Sequence, residues 1–204
     1  QTHTEPQSAI GGMVRSPCSS FPELATRTPG CHVAPPMIPG PGCAQLVVQK
    51  DEHKFSCAHM TVFPDGSKER MHGHNFHVAI AIEVPLETGT PMLDFAIVKR
   101  ALAALCNELR EHLLLPANAP ELRVIARDDR SIDFELCGDR YLMPARDVLL
   151  LPMANVVVEQ IARFLWDRVV AAIGPDLLHA RASRLELTVH ESPGQGASWT
   201  APLR

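Results

Sequence analysis

The chain has 204 residues, which suits one domain with an appendage or two small domains, and 46% of them are hydrophobic, enough to bury a core. A net charge of −4, with Lys and Arg scattered along the chain, excludes a polyanion-binding surface and so predicts no nucleic-acid partner. No apolar run approaches the ~20 residues a membrane helix needs, and the six cysteines form no CxxC pair, which suits reduced thiols in a cytoplasmic protein.

Residues 1–43 are rich in Pro, Ser, Gly and Thr and lack apolar periodicity, so they are expected to form a flexible extension. They contain no basic segment followed by an apolar one, which argues against a secretory signal. Cys18, Cys31, His32 and Cys43 match no zinc spacing. Residues 44–204 are expected to form the folded domain. Ala44 to Met60 reads as a first strand with a polar interruption at Gln49-Lys50-Asp51-Glu52. Thr61 to Met71 reads as a loop with a turn at Pro64-Asp65-Gly66. In the next segment Phe76, Val78, Ile80 and Ile82 recur at every second position, predicting a strand from His72 to Val84 and a hairpin with the first. Asp94 is placed to cap a helix whose apolar stripe is Phe95, Val98, Leu102, Leu105, Leu109 and Leu113. Pro116 and Asn118-Ala119-Pro120 are expected to end it.

Residues 121–151 read as an insertion of two or three short strands with a turn at Gly138-Asp139. A second helix is expected from Asn155 to Ile173, stopped by Gly174-Pro175. Leu185, Leu187 and Val189 mark a last strand leading into His190-Glu191, with a further strand at Ala197 to Ala201. The order predicts an α+β fold, with helices segregated to one face of an antiparallel sheet.

The chemistry concentrates in His72-Gly73-His74. Two histidines two residues apart on a strand share a face, roughly 6.5 Å apart along the chain. His59 ends another period-two run, Phe55-Ser56-Cys57-Ala58-His59. Three imidazoles without a fourth protein ligand suit a catalytic zinc with an open position. The plainer alternative is that each histidine is only a polar side chain at a strand end. Gly73 allows a neighbour to approach the backbone between the two rings.

Taken in order and spacing, Phe55 to His59, His72-Gly73-His74-Asn75, Met92-Leu93-Asp94-Phe95, Glu111-His112, Asn155 to Glu159 and Val189-His190-Glu191 resemble the 6-pyruvoyl-tetrahydropterin synthase family. That family includes the 6-carboxy-tetrahydropterin synthase of queuosine biosynthesis. The resemblance covers about residues 45 to 200. It implies a tunnelling fold (T-fold), in which subunits close edge to edge into a barrel, usually a homohexamer of two trimers. It implies His59, His72 and His74 as zinc ligands, Glu191 as the anchor of a pterin substrate, and Glu111-His112 in place of a catalytic Asp-His pair.

Two departures bear on the reaction. Typical synthases carry a catalytic Cys four residues before the first His of HGH; Lys68 stands there. Cys57, the nearest thiol, reads as a core residue. Glu69 follows, and Glu69-Arg70-Met71-His72-Gly73-His74 resembles the folate-type subgroup, in which a Glu replaces the cysteine. Such members cleave the side chain of 7,8-dihydroneopterin triphosphate to 6-hydroxymethyl-7,8-dihydropterin. The implied enzyme is a zinc-dependent lyase with Glu69, His112 and Glu111 as catalytic groups. The alternatives are a 6-carboxy- or 6-pyruvoyl-tetrahydropterin synthase and a non-catalytic homologue that binds pterin or zinc. A glutamate with an ordinary pKa of about 4.3 is expected to need apolar surroundings or a nearby metal to reach working pH. Lys68 would oppose that if it points inward, and would otherwise be free to meet the triphosphate. Val156-Val157-Val158 supply none of the hydroxyls that family members often have there.

Overall fold

Residues 42–203, apart from 88 and 90, are described by a computed structural model. All but the last two positions of the expected extension lie outside them, with Cys18, Cys31 and His32. Cys43 already opens the first strand.

The first strand, β1 (Cys43–His59), pairs antiparallel with β2 (His72–Pro85), and its register slips between Gln49 and Lys54, at the polar interruption. β2 pairs with β8 (Arg184–Ser192), and β8 with β9 (Gln195–Pro202), all antiparallel. Helix α1 (Phe95–Leu109) begins where Asp94 accepts a 2.7 Å hydrogen bond from the Ala96 amide. Its buried face is Val98, Leu102, Leu105, Cys106 and Leu109. Helix α2 (Val158–His179) buries Ile161, Leu165, Val169 and Leu177. Both helices pack on one face of the sheet around Phe55, Phe76, Ile80, Ile82, Leu185 and Leu187. Each fully buried side chain of this size contributes about 1.5–3 kcal/mol relative to exposure.

Three expectations need correction. The α1 stripe stops at Leu109, not at Pro116. Glu111 adopts a left-handed backbone, φ 62°, and turns the chain, so Leu113 falls in a strand instead. That strand, β3 (Leu113–Pro116), is buried at every residue and lies parallel to β1 and to β7 (Val148–Leu151). The sheet, in the order β7-β3-β1-β2-β8-β9, is therefore mixed. A short apolar run covered on both faces has no alternation to distinguish it from helix. Nor does Gly174-Pro175 end α2: Ile173 leaves helical geometry at φ −126°, and helix resumes through Pro175. Proline is tolerated in a first helical turn, so it opens the second segment. The α+β class stands.

The insertion forms its own three-stranded antiparallel sheet: β4 (Leu122–Arg127), β5 (Ser131–Leu136) and β6 (Asp139–Pro144). Ile132, Phe134 and Leu136 of β5 join Met60, Val62, Leu113, Leu115 and Val148 in a second apolar cluster. The insertion is thus packed against the strand end that carries His59. Among the described residues no helix is long and apolar enough to cross a membrane.

One core residue has a pH consequence. His53 is 0% exposed, and among the described residues neither ring nitrogen has a hydrogen-bond partner. Burial lowers its pKa from 6.5, and burial also lowers that of His59. Between 6.5 and the lowered values the unfolded chain binds these protons and the folded chain does not, so acid favours unfolding. The thermal midpoint of metal-free protein should therefore fall as pH drops from about 7.5 to about 5.5. In H53L the fall should be smaller; an identical pH slope would contradict this reading.

Candidate metal centre

The β1–β2 ladder sets His59 opposite His72 and Cys57 opposite His74. The histidine rings converge, with centroids 4.7 Å (59–72), 5.2 Å (59–74) and 4.8 Å (72–74) apart. A Cβ added at Gly73, between them, would stand 3.3 Å from the Cys57 carbonyl, so the close neighbour there is the paired strand itself. Glu191 completes the group: the ligand atoms of His59, His72, His74 and Glu191 all lie within 4.8 Å of one another. The β8–β9 register shifts at Glu191, between His190 and Ser192, and such bulges re-aim side chains.

Backbone carbonyls orient two of the rings. His59 Nδ1 donates to the Val156 carbonyl at 2.9 Å, and His72 Nδ1 to the Arg70 carbonyl at 2.8 Å. Each bond sets the tautomer that leaves Nε2 bare. His59 Nε2 is buried with no hydrogen-bond partner. An orphaned imidazole nitrogen costs free energy unless something binds it, and lowering of the His59 pKa by burial keeps that nitrogen unprotonated. The bare Nε2 atoms of His59 and His72, with the His74 ring converging on them, fit a divalent metal such as zinc. His74 Nε2 lies 2.7 Å from Glu191 Oε1, so a metal ion would compete with Glu191 for that nitrogen.

Glu69 stands at the rim, its Oε2 3.8 Å from His72 Nε2. It sits on a small hairpin in which the Glu69 amide donates to the Thr61 carbonyl at 2.9 Å and Val62 bridges Lys68. The turn is Pro64-Asp65-Gly66, with Gly66 at φ 81°. The Glu69 carboxyl is held below the ordinary glutamate range. The Thr61 hydrogen bond is the main cause. Glu69 is thus an ionised acceptor at neutral pH. Lys68 points the other way, to Asp139 Oδ2 at 2.8 Å, so it neither opposes Glu69 nor faces the histidines.

Glu111 and His112 do not join the cluster. The Glu111 amide donates to the Ser56 carbonyl (2.7 Å), and the Ala58 amide to the His112 carbonyl (2.9 Å), which docks the pair beside β1. There His112 lines a cavity of about 530 Å³ with His74, Gly73, Asn75 and Ser56. Among the described residues its Nδ1 is buried without a hydrogen-bond partner, Glu111 included. Glu111, exposed and left-handed in its backbone, lines the same cavity. Cys57 is 5% exposed, and burial pushes its thiol up to about 12, which makes it a core residue as expected.

Sequence reasoning missed the residues that brace the site. Asn155 accepts from the Val62 amide (3.0 Å) and donates to the Val62 carbonyl (2.8 Å), tying the Glu69 hairpin to the start of α2. The Val156 and Arg70 carbonyls carry no side-chain signal at all. The valine run, read as a loss of hydroxyls, supplies a backbone oxygen to His59.

Among solved structures, the chain is similar to a Plasmodium falciparum 6-pyruvoyl tetrahydropterin synthase, at 26% identity and TM-score 0.72, covering 78% of this chain and 98% of that one. It is also similar to the Plasmodium vivax enzyme, at 27% identity and TM-score 0.73, covering 79% and 99%. A Methanocaldococcus jannaschii protein, provisionally described as a 6-carboxy-5,6,7,8-tetrahydropterin synthase, is 27% identical over 147 residues, 72% of this chain and 88% of that one. The α+β T-fold expected from the motifs is the fold of these solved structures. The 6-pyruvoyl tetrahydropterin synthase family model matches residues 48–202, from the middle of β1 to the end of β9, and the chain belongs to that family.

Proposed function

We propose that this chain is a zinc-dependent lyase that cleaves the side chain of 7,8-dihydroneopterin triphosphate to 6-hydroxymethyl-7,8-dihydropterin, with Glu69 as the proton-transferring group. The observation that carries the reading is the ionised Glu69 carboxylate at the rim of the three-histidine cluster, with the Cys57 thiol buried in the core. Two further Plasmodium vivax structures at TM-score 0.73 are of variants in which a glutamate named as the catalytic residue is changed to Cys or Ala, so a glutamate serves catalysis in a relative of the same fold.

His59, His72 and His74 would hold the zinc through their Nε2 atoms. Bound there, it supplies Lewis-acid stabilisation of charge developing on side-chain oxygens of the substrate. Glu69 accepts a proton from the side-chain hydroxyl beyond the carbon–carbon bond that breaks, so that the departing fragment leaves as a carbonyl compound, and returns the proton to the carbon that stays on the pterin, which becomes the hydroxymethyl group. Glu191 can accept two parallel N–H bonds from a pterin's amino group and ring nitrogen. In a barrel of copies, proposed here as a homohexamer, closure would remove the exposed edges at β7 and β9. His112 of one copy would then be available, through the cavity it lines, to a site on another.

Incubating the protein with zinc and 7,8-dihydroneopterin triphosphate, then resolving the pterins by chromatography, tests the reading. Hydroxymethyl-dihydropterin is expected as the main product. Carboxy- or pyruvoyl-tetrahydropterin would reassign the enzyme to the synthase reactions of its relatives. Bound but unchanged substrate would make it a non-catalytic homologue.

A further inference from the structure

We propose that the inserted sheet β4–β5–β6 is a brace for the hairpin that carries Glu69, and that the Lys68–Asp139 ion pair is its positioning contact. The inference rests on the reading of Glu69 as the proton-transferring group. Adjacent residues of a paired strand point to opposite sides. The Val62–Lys68 bridge therefore turns Glu69 toward the histidines and Lys68 toward the insertion.

Lys68 is well anchored there. Its side chain is 9% exposed, its Nζ lies 2.8 Å from Asp139 Oδ2, and it sits 5.4 Å from the centre of the Tyr141 ring. Tyr141 stacks on the fully buried Phe134 with ring centroids 5.1 Å apart. Asp139 follows Cys137 and Gly138, both left-handed (φ 52° and 83°), a two-residue loop of the type that fixes hairpin geometry. Asp139 is therefore held by the insertion and not by the site. On its other side the hairpin is held by the two hydrogen bonds between Asn155 and Val62. Glu69 thus stands on a short hairpin clamped between the start of α2 and the inserted sheet.

A half-exposed ion pair adds little to global stability. Its effect is on geometry, where a shift of about 1 Å in a reacting group can cost up to about 100-fold in rate. Full-length K68M and D139N, loaded with zinc and assayed on 7,8-dihydroneopterin triphosphate, should lose about 10- to 100-fold in kcat with KM within about threefold of wild type. Amide hydrogen exchange across residues 61–69 should speed up in both, a readout independent of turnover. K68R and the swapped pair K68D/D139K should recover most of the loss. D139N removes only a surface charge, so it remains informative if K68M folds poorly. Wild-type kcat in both single variants, or a loss confined to KM, would overturn the brace. E69Q run beside them separates the two ideas: full activity in E69Q would sink the reading of Glu69. An inactive E69Q with unaltered K68M and D139N would sink the brace alone.

Discussion

Glu69→Gln is expected to lower turnover by about 100- to 10,000-fold, the range for removing a general acid–base, while bound zinc stays near one per chain. The substitution keeps the shape of the side chain and its bond from Thr61 but removes the carboxylate that accepts a proton. Zinc should persist because Glu69 stands outside the group of ligand atoms formed by His59, His72, His74 and Glu191. Rate assays paired with metal analysis of the same preparation check both halves. Retained turnover removes Glu69 from the chemistry; lost zinc makes it a ligand instead.

The second large effect belongs to the histidines. His59→Ala removes the most buried of the three and leaves the Val156 carbonyl without its donor. Changes to groups that merely orient metal ligands cost about 10- to 100-fold in metal affinity, so loss of a ligand should cost at least that and abolish turnover with it. His72→Ala should do the same, since its Nε2 is left bare by the bond of Nδ1 to the Arg70 carbonyl. His77→Ala is the informative control. It lies on β2 with opposite parity, three residues past His74, and is paired with His190 away from the cluster. Its metal content should match that of the wild type.

Much of this site was legible because strand periodicity is a strong constraint. His72 and His74 must share a face, and the hairpin pairing brings His59 opposite. Glu191 was reached only by resemblance, since a carboxylate at a strand end has no pattern of its own. The bulge that aims it appears only in the register with β9. The direction of Lys68 was undecidable from the chain, because it depends on which side of a nine-residue hairpin the insertion occupies. Glu111-His112 was likewise reached only by resemblance, since a charged pair at a helix end reads as a solvated cap, and the left-handed turn at Glu111 that sets both residues along one cavity has no signal in the sequence. In the fold, the alternating strands and the stripe of α1 up to Leu109 were readable. Leu113-Leu114-Leu115 was not, because a run buried on both faces suits helix and strand alike.

The most direct test of the account is diffraction from crystals of the zinc-loaded protein, with anomalous data collected on both sides of the zinc absorption edge. A single strong peak per chain is predicted, in contact with Nε2 of His59, His72 and His74. A peak at any other set of side chains, or none at these three nitrogens in protein that carries zinc, would contradict it.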